Sequence, residues 1–326
     1  MTEDTTTGEP LGIEPYGIDP ELAELVALLP SGVFDDVEVA RRGLDDVLPL
    51  MNAGLDLTGL DVTDRTVAGP PDHRDLTVRV YRPISEPSGA GLLFIHGGGF
   101  TLGNLDSEHA RAASTAFGTG ATLVSVDYRL APEHPFPAAI DDCYAALTWI
   151  HGAATDLGID PERIGVVGQS AGGGLAAGLA LMARDRGGPA LRFQYLGIPE
   201  LDDRLASASM GRFVDTPIWN RPSAEASWRM YLGPDLAEGA GEVSPYAAPA
   251  RATDLTGLPP AYVSAMEFDP LRDEGIQYAL ALMAAGVSCE LHIFPGTFHG
   301  SSSVVGTAEV SRREIDEMMA VLRRRL

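Results

Sequence analysis

The chain contains no lysine. All 23 of its basic residues are arginines. Schiff-base chemistry and a phosphate-loop lysine are therefore excluded. Aspartate and glutamate total 46, and the formal net charge is −23. A surface so acidic repels nucleic acid and anionic lipid, so neither is expected as a partner. Such a surface serves solubility first. It would also draw cationic substrates and expel a carboxylate product. Cysteine is scarce, with only Cys143 and Cys289. Two thiols make no disulfide framework, and their expected state is free, in a reducing cytoplasm. No Cys/His spacing resembles a metal site, so neither metal nor cofactor is expected. No apolar run approaches the roughly 20 residues of a membrane span. No basic residue precedes Arg41, so the charged start of a secretory signal is missing and a cytoplasmic location is expected.

What the chain does have is glycine in ordered places. The apolar run Arg163-Ile164-Gly165-Val166-Val167 leads into Gly168-Gln169-Ser170-Ala171-Gly172-Gly173. A small-residue helix pattern follows through Ala180. Strand, Gly-x-Ser-x-Gly turn and helix are the context of a nucleophile elbow. A Cβ at Gly168 or Gly172 would collide with its neighbours in so tight a turn. The turn lifts the Ser170 hydroxyl above the sheet edge and leaves the Ala171 N–H facing outward. Upstream, Leu92-Leu93-Phe94-Ile95 reads as a buried strand ending in His96-Gly97-Gly98-Gly99-Phe100. Acyl transfer puts negative charge on the carbonyl oxygen, and backbone N–H groups can hold it only where the chain comes close. Gly98, Gly99 and Ala171 are the candidate oxyanion hole.

A serine nucleophile needs a base, and the base needs an orienting carboxylate. Of seven histidines, His299 stands in Pro295-Gly296-Thr297-Phe298-His299-Gly300, read as a loop after the last strand. His96 reads as a brace of the glycine loop. The strand Ala261–Met266 is followed by Glu267-Phe268-Asp269-Pro270-Leu271-Arg272-Asp273-Glu274. Asp269 sits just past that strand, where a capping aspartate would also stand. Asp273 and Glu274 suit the first turn of the next helix. The expected catalytic set is Ser170, Asp269 and His299.

These stretches, with Asp127-Tyr128-Arg129-Leu130-Ala131-Pro132-Glu133-His134-Pro135-Phe136-Pro137 and Asp269-Pro270-Leu271-Arg272-Asp273-Glu274, resemble the bacterial hormone-sensitive-lipase-like esterases. The likeness runs from about Leu92 to the C-terminus. It implies an α/β-hydrolase fold with a helical cap. Two positions depart from the family pattern. Gln169 replaces the usual aspartate of the elbow, and Ser301 stands where a bulky residue is usual. With Ile198–Asp203 and Phe213–Pro217, Gln169 makes the chain most similar to an acetyl-ester hydrolase of that family. The implied activity is a serine carboxylesterase acting on small, short-acyl esters with room for a bulky alcohol. A lipase or amidase of the same fold is the nearest alternative, and the acidic surface offers no lipid-binding stripe. A non-catalytic small-ligand receptor on this fold would lack the triad histidine, and His299 is present.

The length of 326 residues fits one large α/β domain and a cap. The expected units are cap helices over 1–50, core over 51–200, a cap insertion over 201–232, and core over 233–326. The arm from Met1 to Asp19 is polar, Pro20–Leu29 and Asp36–Met51 have helical periodicity, and Leu60–Val67 and Leu76–Arg82 read as an antiparallel edge. From Leu92 strand and helix patterns alternate, as a mostly parallel sheet requires. Phe100, Phe213, Trp219 and Phe298 are candidates for the substrate pocket. An open edge near Glu290–Phe294 would permit a homodimer.

Overall fold

The computed structural model describes residues 17–26, 36–71 and 75–326. Most of the expected N-terminal arm, the end of the first expected helix at Leu28 and Leu29, and His73 lie outside the described residues.

Along the chain run α1 (Pro20–Val26), α2 (Val37–Met51), β1 (Leu60–Val67), β2 (Leu76–Pro83) and β3 (Gly91–Ile95). Then come α3 (His109–Thr119), β4 (Thr122–Val126), α4 (Ala138–Gly152), α5 (Ala154–Leu157), β5 (Ile164–Gln169), α6 (Ala171–Asp185) and β6 (Phe193–Gly197). The last part holds α7 (Ala208–Arg212), α8 (Arg221–Ala237), β7 (Ala261–Phe268), α9 (Arg272–Ala284), β8 (Cys289–Phe298), α10 (Ser301–Val304) and α11 (Glu309–Arg325). The strands form one sheet in the order β1-β2-β4-β3-β5-β6-β7-β8. β2 pairs antiparallel with β1 and with β4, and the other pairings are parallel.

Both faces of the centre are covered, so β3, β4, β5 and β6 are buried at every position and mostly apolar. In β3, Leu93 and Ile95 join α4, α6 and α9 in one core. Leu92 and Phe94 face the opposite way, against α3 and α11. A third cluster joins Leu22 and Val26 of α1 to Ile198, Phe213, Phe268 and Phe298. The Arg129 side chain forks onto Asp142 at 2.7 and 2.8 Å, which pins the proline-rich loop before α4.

Two strands run further than their sequence pattern implies. β7 continues to Phe268 and β8 to Phe298, rejoining as Phe268↔Phe298 after a register shift. Pro295 and Gly296 read as the end of a strand. The Gly296 N–H instead bonds the Glu267 carboxylate at 2.8 Å, and the chain resumes its pairing. His299 thus follows the strand directly, with no loop between them. Residue 232, the expected end of the insertion, is the last before α8 kinks at Gly233.

Candidate active site

The site forms at the C-terminal ends of β5, β7 and β8, on one edge of the parallel part of the sheet. Ser170 lies between β5 and α6 with φ 57° and ψ −126°, a backbone region that a side chain rarely occupies. Its strain is held on both sides of the residue. The Ser170 N–H donates to the Gly197 carbonyl at 2.9 Å, and its carbonyl accepts from the N–H groups of Gly174 and Glu200. The turn is as tight as the motif requires. A Cβ on Gly168 would stand 2.1 Å from the Gly172 carbonyl oxygen.

The Ser170 Oγ lies 2.9 Å from His299 Nε2. His299 Nδ1 lies 2.7 Å from Asp269 Oδ2. A carboxylate only accepts, so Nδ1 carries the hydrogen and Nε2 is left to accept from Ser170. Asp269 also accepts the Leu271 N–H on Oδ1 at 2.9 Å. The capping role and the orienting role fall on the two oxygens of one carboxylate. Asp273 turns away from the site, taking the Ser209 N–H of α7 at 2.8 Å.

The glycine loop lies against this turn. A Cβ on Gly97 would come 3.5 Å from the Ser170 Cβ. Gly98 and Gly99 have φ of 116° and 56°, and the Gly98 carbonyl accepts from Leu102 at 2.9 Å. Ala171 is the first residue of α6, so its N–H has no carbonyl one turn back to reach. His96 braces the loop from beneath. Its ring stacks on Tyr128 with centroids 4.1 Å apart, and Nδ1 lies 2.8 Å from the Gly97 carbonyl. Burial pushes His96 down to about 4, against a smaller upward pull from that carbonyl, so the brace is neutral at pH 7.

Of the four aromatic candidates, Trp219 has a ring contact with the triple of Ser170, His299 and Asp269. The Trp219 ring sits 5.7 Å from that of His299. Phe100 stacks at 3.9 Å on Tyr231 of α8, and Phe213 meets Phe268 edge to face. Phe298 is fully buried in the cluster with Ile198, Phe213 and Phe268. Gln169, which replaces the family aspartate, is buried beside the nucleophile. Its side chain presses toward Gly197, and its Nε2 has no partner among the described residues. Ser301 is buried, and its Oγ has no partner among them either. Sequence reasoning did not single out Glu200, whose N–H donates to the Ser170 carbonyl, or Ser227, whose hydroxyl donates to the Gly99 carbonyl. A lone glutamate at the end of an apolar strand was the only signal.

A family model described as the alpha/beta hydrolase fold matches residues 92–303. The chain belongs to the α/β-hydrolase family. Within it, the chain is a hormone-sensitive-lipase-like member and a carboxylic ester hydrolase. The carboxylesterase NlhH of Mycobacterium tuberculosis is 41% identical over 95% of this chain and 96% of its own length. An ethyl acetate hydrolase of Pseudomonas putida is 32% identical over 86% of this hydrolase and 91% of its own chain. Among solved structures, a bacterial heroin esterase superposes with a TM-score of 0.92 at 50% identity, covering 95% of this chain and 98% of its own. Among the described residues, no helix is long and apolar enough to cross a membrane.

Proposed function

We propose that this hydrolase cleaves short-acyl esters, acetyl esters foremost, through an acyl-enzyme on Ser170. The observation that carries this is the unbroken line from Ser170 Oγ through His299 to Asp269, beside a loop of glycine amides. His299 takes the Ser170 proton as Oγ attacks the ester carbonyl. The oxyanion meets the N–H groups of Gly98, Gly99 and Ala171. His299 then gives its proton to the departing alcohol. A water attacks the acyl-enzyme, its proton passing to His299, and the acid leaves as Ser170 is restored.

The aromatic crowding supports a small acyl group, with Trp219 close to His299 and Phe100 packed under Tyr231. The name of the ethyl acetate hydrolase agrees with acetyl transfer, and that of the heroin esterase with a bulky alcohol. In this reading α2 and the 201–232 insertion cap the core, and Ser227 of α8 reaches the glycine loop. The free thiols suit a reducing cytoplasm, and the open edge at β8 is where a second copy would add.

A series of nitrophenyl esters tests the reading. Acetate to butyrate should turn over fastest, and Ser170→Ala should lose on the order of 10⁴-fold or more in kcat. A maximum at chains of about twelve carbons, where only a broad apolar cleft would fit, or an active Ser170→Ala, overturns it.

A further inference from the structure

Behind the glycine loop lies a buried polar pair outside the Ser170–His299–Asp269 line. Glu200 follows β6 and Ser227 sits on α8, and both are 0% exposed. The Glu200 N–H bonds the Ser170 carbonyl at 3.1 Å, so its backbone is fixed to the nucleophile turn. Neither carboxyl oxygen of Glu200 has a well-formed hydrogen bond among the described residues. The polar side chain acting on it is the Ser227 hydroxyl, which in this structure is turned to the Gly99 carbonyl at 3.0 Å. Gly99, at φ 56°, is a soft backbone position that needs an outside anchor to hold one conformation.

We propose that Glu200 and Ser227 are positioning residues for the oxyanion loop. The protonated Glu200 donates to Ser227 Oγ, and the Ser227 hydroxyl donates to the Gly99 carbonyl. The inference rests on the reading of Gly98 and Gly99 as oxyanion donors.

A serine hydroxyl has one hydrogen to give. While Glu200 keeps its proton, the two bonds run in one direction and both are satisfied. An ionised Glu200 only accepts, so it competes with Gly99 for that hydrogen. The loop then loses its anchor. The surroundings favour the protonated form. Burial pushes Glu200 up to about 8; Ser227 pulls it back, and Asp269 beyond β7 adds to the rise. The other groups facing it are Glu274 of α9, itself buried and raised, with Asp202 beside it, and the Tyr231 hydroxyl of α8. Among the described residues these ionisable groups are all acidic, and none of them is a cation that would hold Glu200 charged.

The test is kcat and KM for nitrophenyl acetate between about pH 6 and 10 in the native chain, Glu200→Gln and Ser227→Ala. The native kcat should fall on the alkaline side with a midpoint near 8 and a flat KM. Glu200→Gln keeps a donor beside Ser227, so it should hold kcat within about threefold at neutral pH and lose that fall. Ser227→Ala should lower kcat on the order of tenfold with KM unchanged, and weaken a trifluoromethyl ketone in proportion. Ser227→Thr, which keeps the hydroxyl, should restore much of the rate. Native kcat and inhibitor affinity in Ser227→Ala, or an unchanged alkaline fall in Glu200→Gln, overturns the proposal. Fluorophosphonate labelling of Ser170 separates the two readings. Labelling without any dependence on Ser227 sinks this inference alone, and absence of labelling at Ser170 sinks both.

Discussion

A single methyl group is enough to probe how tightly the Ser170 turn is built. On Gly172 it would stand 2.2 Å from the Ile95 carbonyl oxygen and 2.6 Å from that of His96. Both are backbone atoms at the end of β3, and neither can swing aside. Gly172→Ala should therefore cost more than about 2 kcal/mol in urea unfolding and displace the glycine loop. Gly43, inside α2, meets nothing within 4 Å. Gly43→Ala should be neutral or stabilising by about 0.5–1 kcal/mol, through helix propensity alone. If the two substitutions cost the same, close approach is not what fixes glycine in the turn. The same scale explains why Ser170, Asp269 and His299 could be read from the sequence. Each follows a strand directly, so its position in space is nearly its position in the chain. Glu200 also follows a strand, but its role depends on a serine far along the chain on α8.

Element by element, α2 is the exception to apolar docking. Only Leu48 of its residues is buried, and Leu50 is 77% exposed. What fastens it is Arg41, which donates to the Thr101 and Ala131 carbonyls at 3.0 Å each and forks onto Glu133. The Arg41 guanidinium holds the Glu133 carboxyl down at about 2, against a weaker upward push from burial. A carboxyl lowered in the fold lends stability above its ordinary value, and that stability is lost as pH falls from 4.5 toward 2. Arg41→Ala should release α2 first. Proteolysis at Arg42 should quicken, kcat/KM should drop several-fold, and Tm should move by less than about 2–4 °C. Unchanged proteolysis would show that another contact fastens the helix. The same strand-and-loop scale is where the sequence misled. Proline and glycine at 295 and 296 looked like the end of β8, and a cross-strand bond from Glu267 carried the strand past them.

Across the whole molecule two acid–base effects act on stability in opposite directions. Burial raises Glu200 and Glu274, so the fold retains protons that the unfolded chain has released above about 4.5. Their contribution is complete below that value and is lost as pH rises, for Glu200 through about 8. His96, lowered to about 4 by burial, works the other way. Unfolded histidine takes up a proton below about 6.5, so stability is lost as pH falls from there. Self-repulsion of a chain with net charge −23 adds to the alkaline loss. Tm should fall from about pH 6.5 to 9, should fall less in Glu200→Gln, and at pH 8 should rise as salt goes from about 10 to 150 mM. A Tm that is independent of salt at pH 8 would mean that the acidic surface is already paired out by its arginines.

Sequence by itself determined the sheet, the elbow and the order of serine, aspartate and histidine. Those follow from local rules: apolar runs buried on both faces, glycine where backbone meets backbone, and polar side chains at strand ends. It also fixed what the chemistry does without, since a chain with no lysine cannot form a lysine Schiff base. Tertiary structure alone decided which side chains back the site. The meeting of Ser227 with Gly99, the hold of Arg41 on the loop at Thr101, and the placing of Trp219 beside His299 all join segments far apart in the chain. Periodicity records which face of an element is buried. It holds no record of which partner covers that face, because the hydrophobic effect that drives burial is non-directional, while the hydrogen bonds that select a partner act only once the chain has closed.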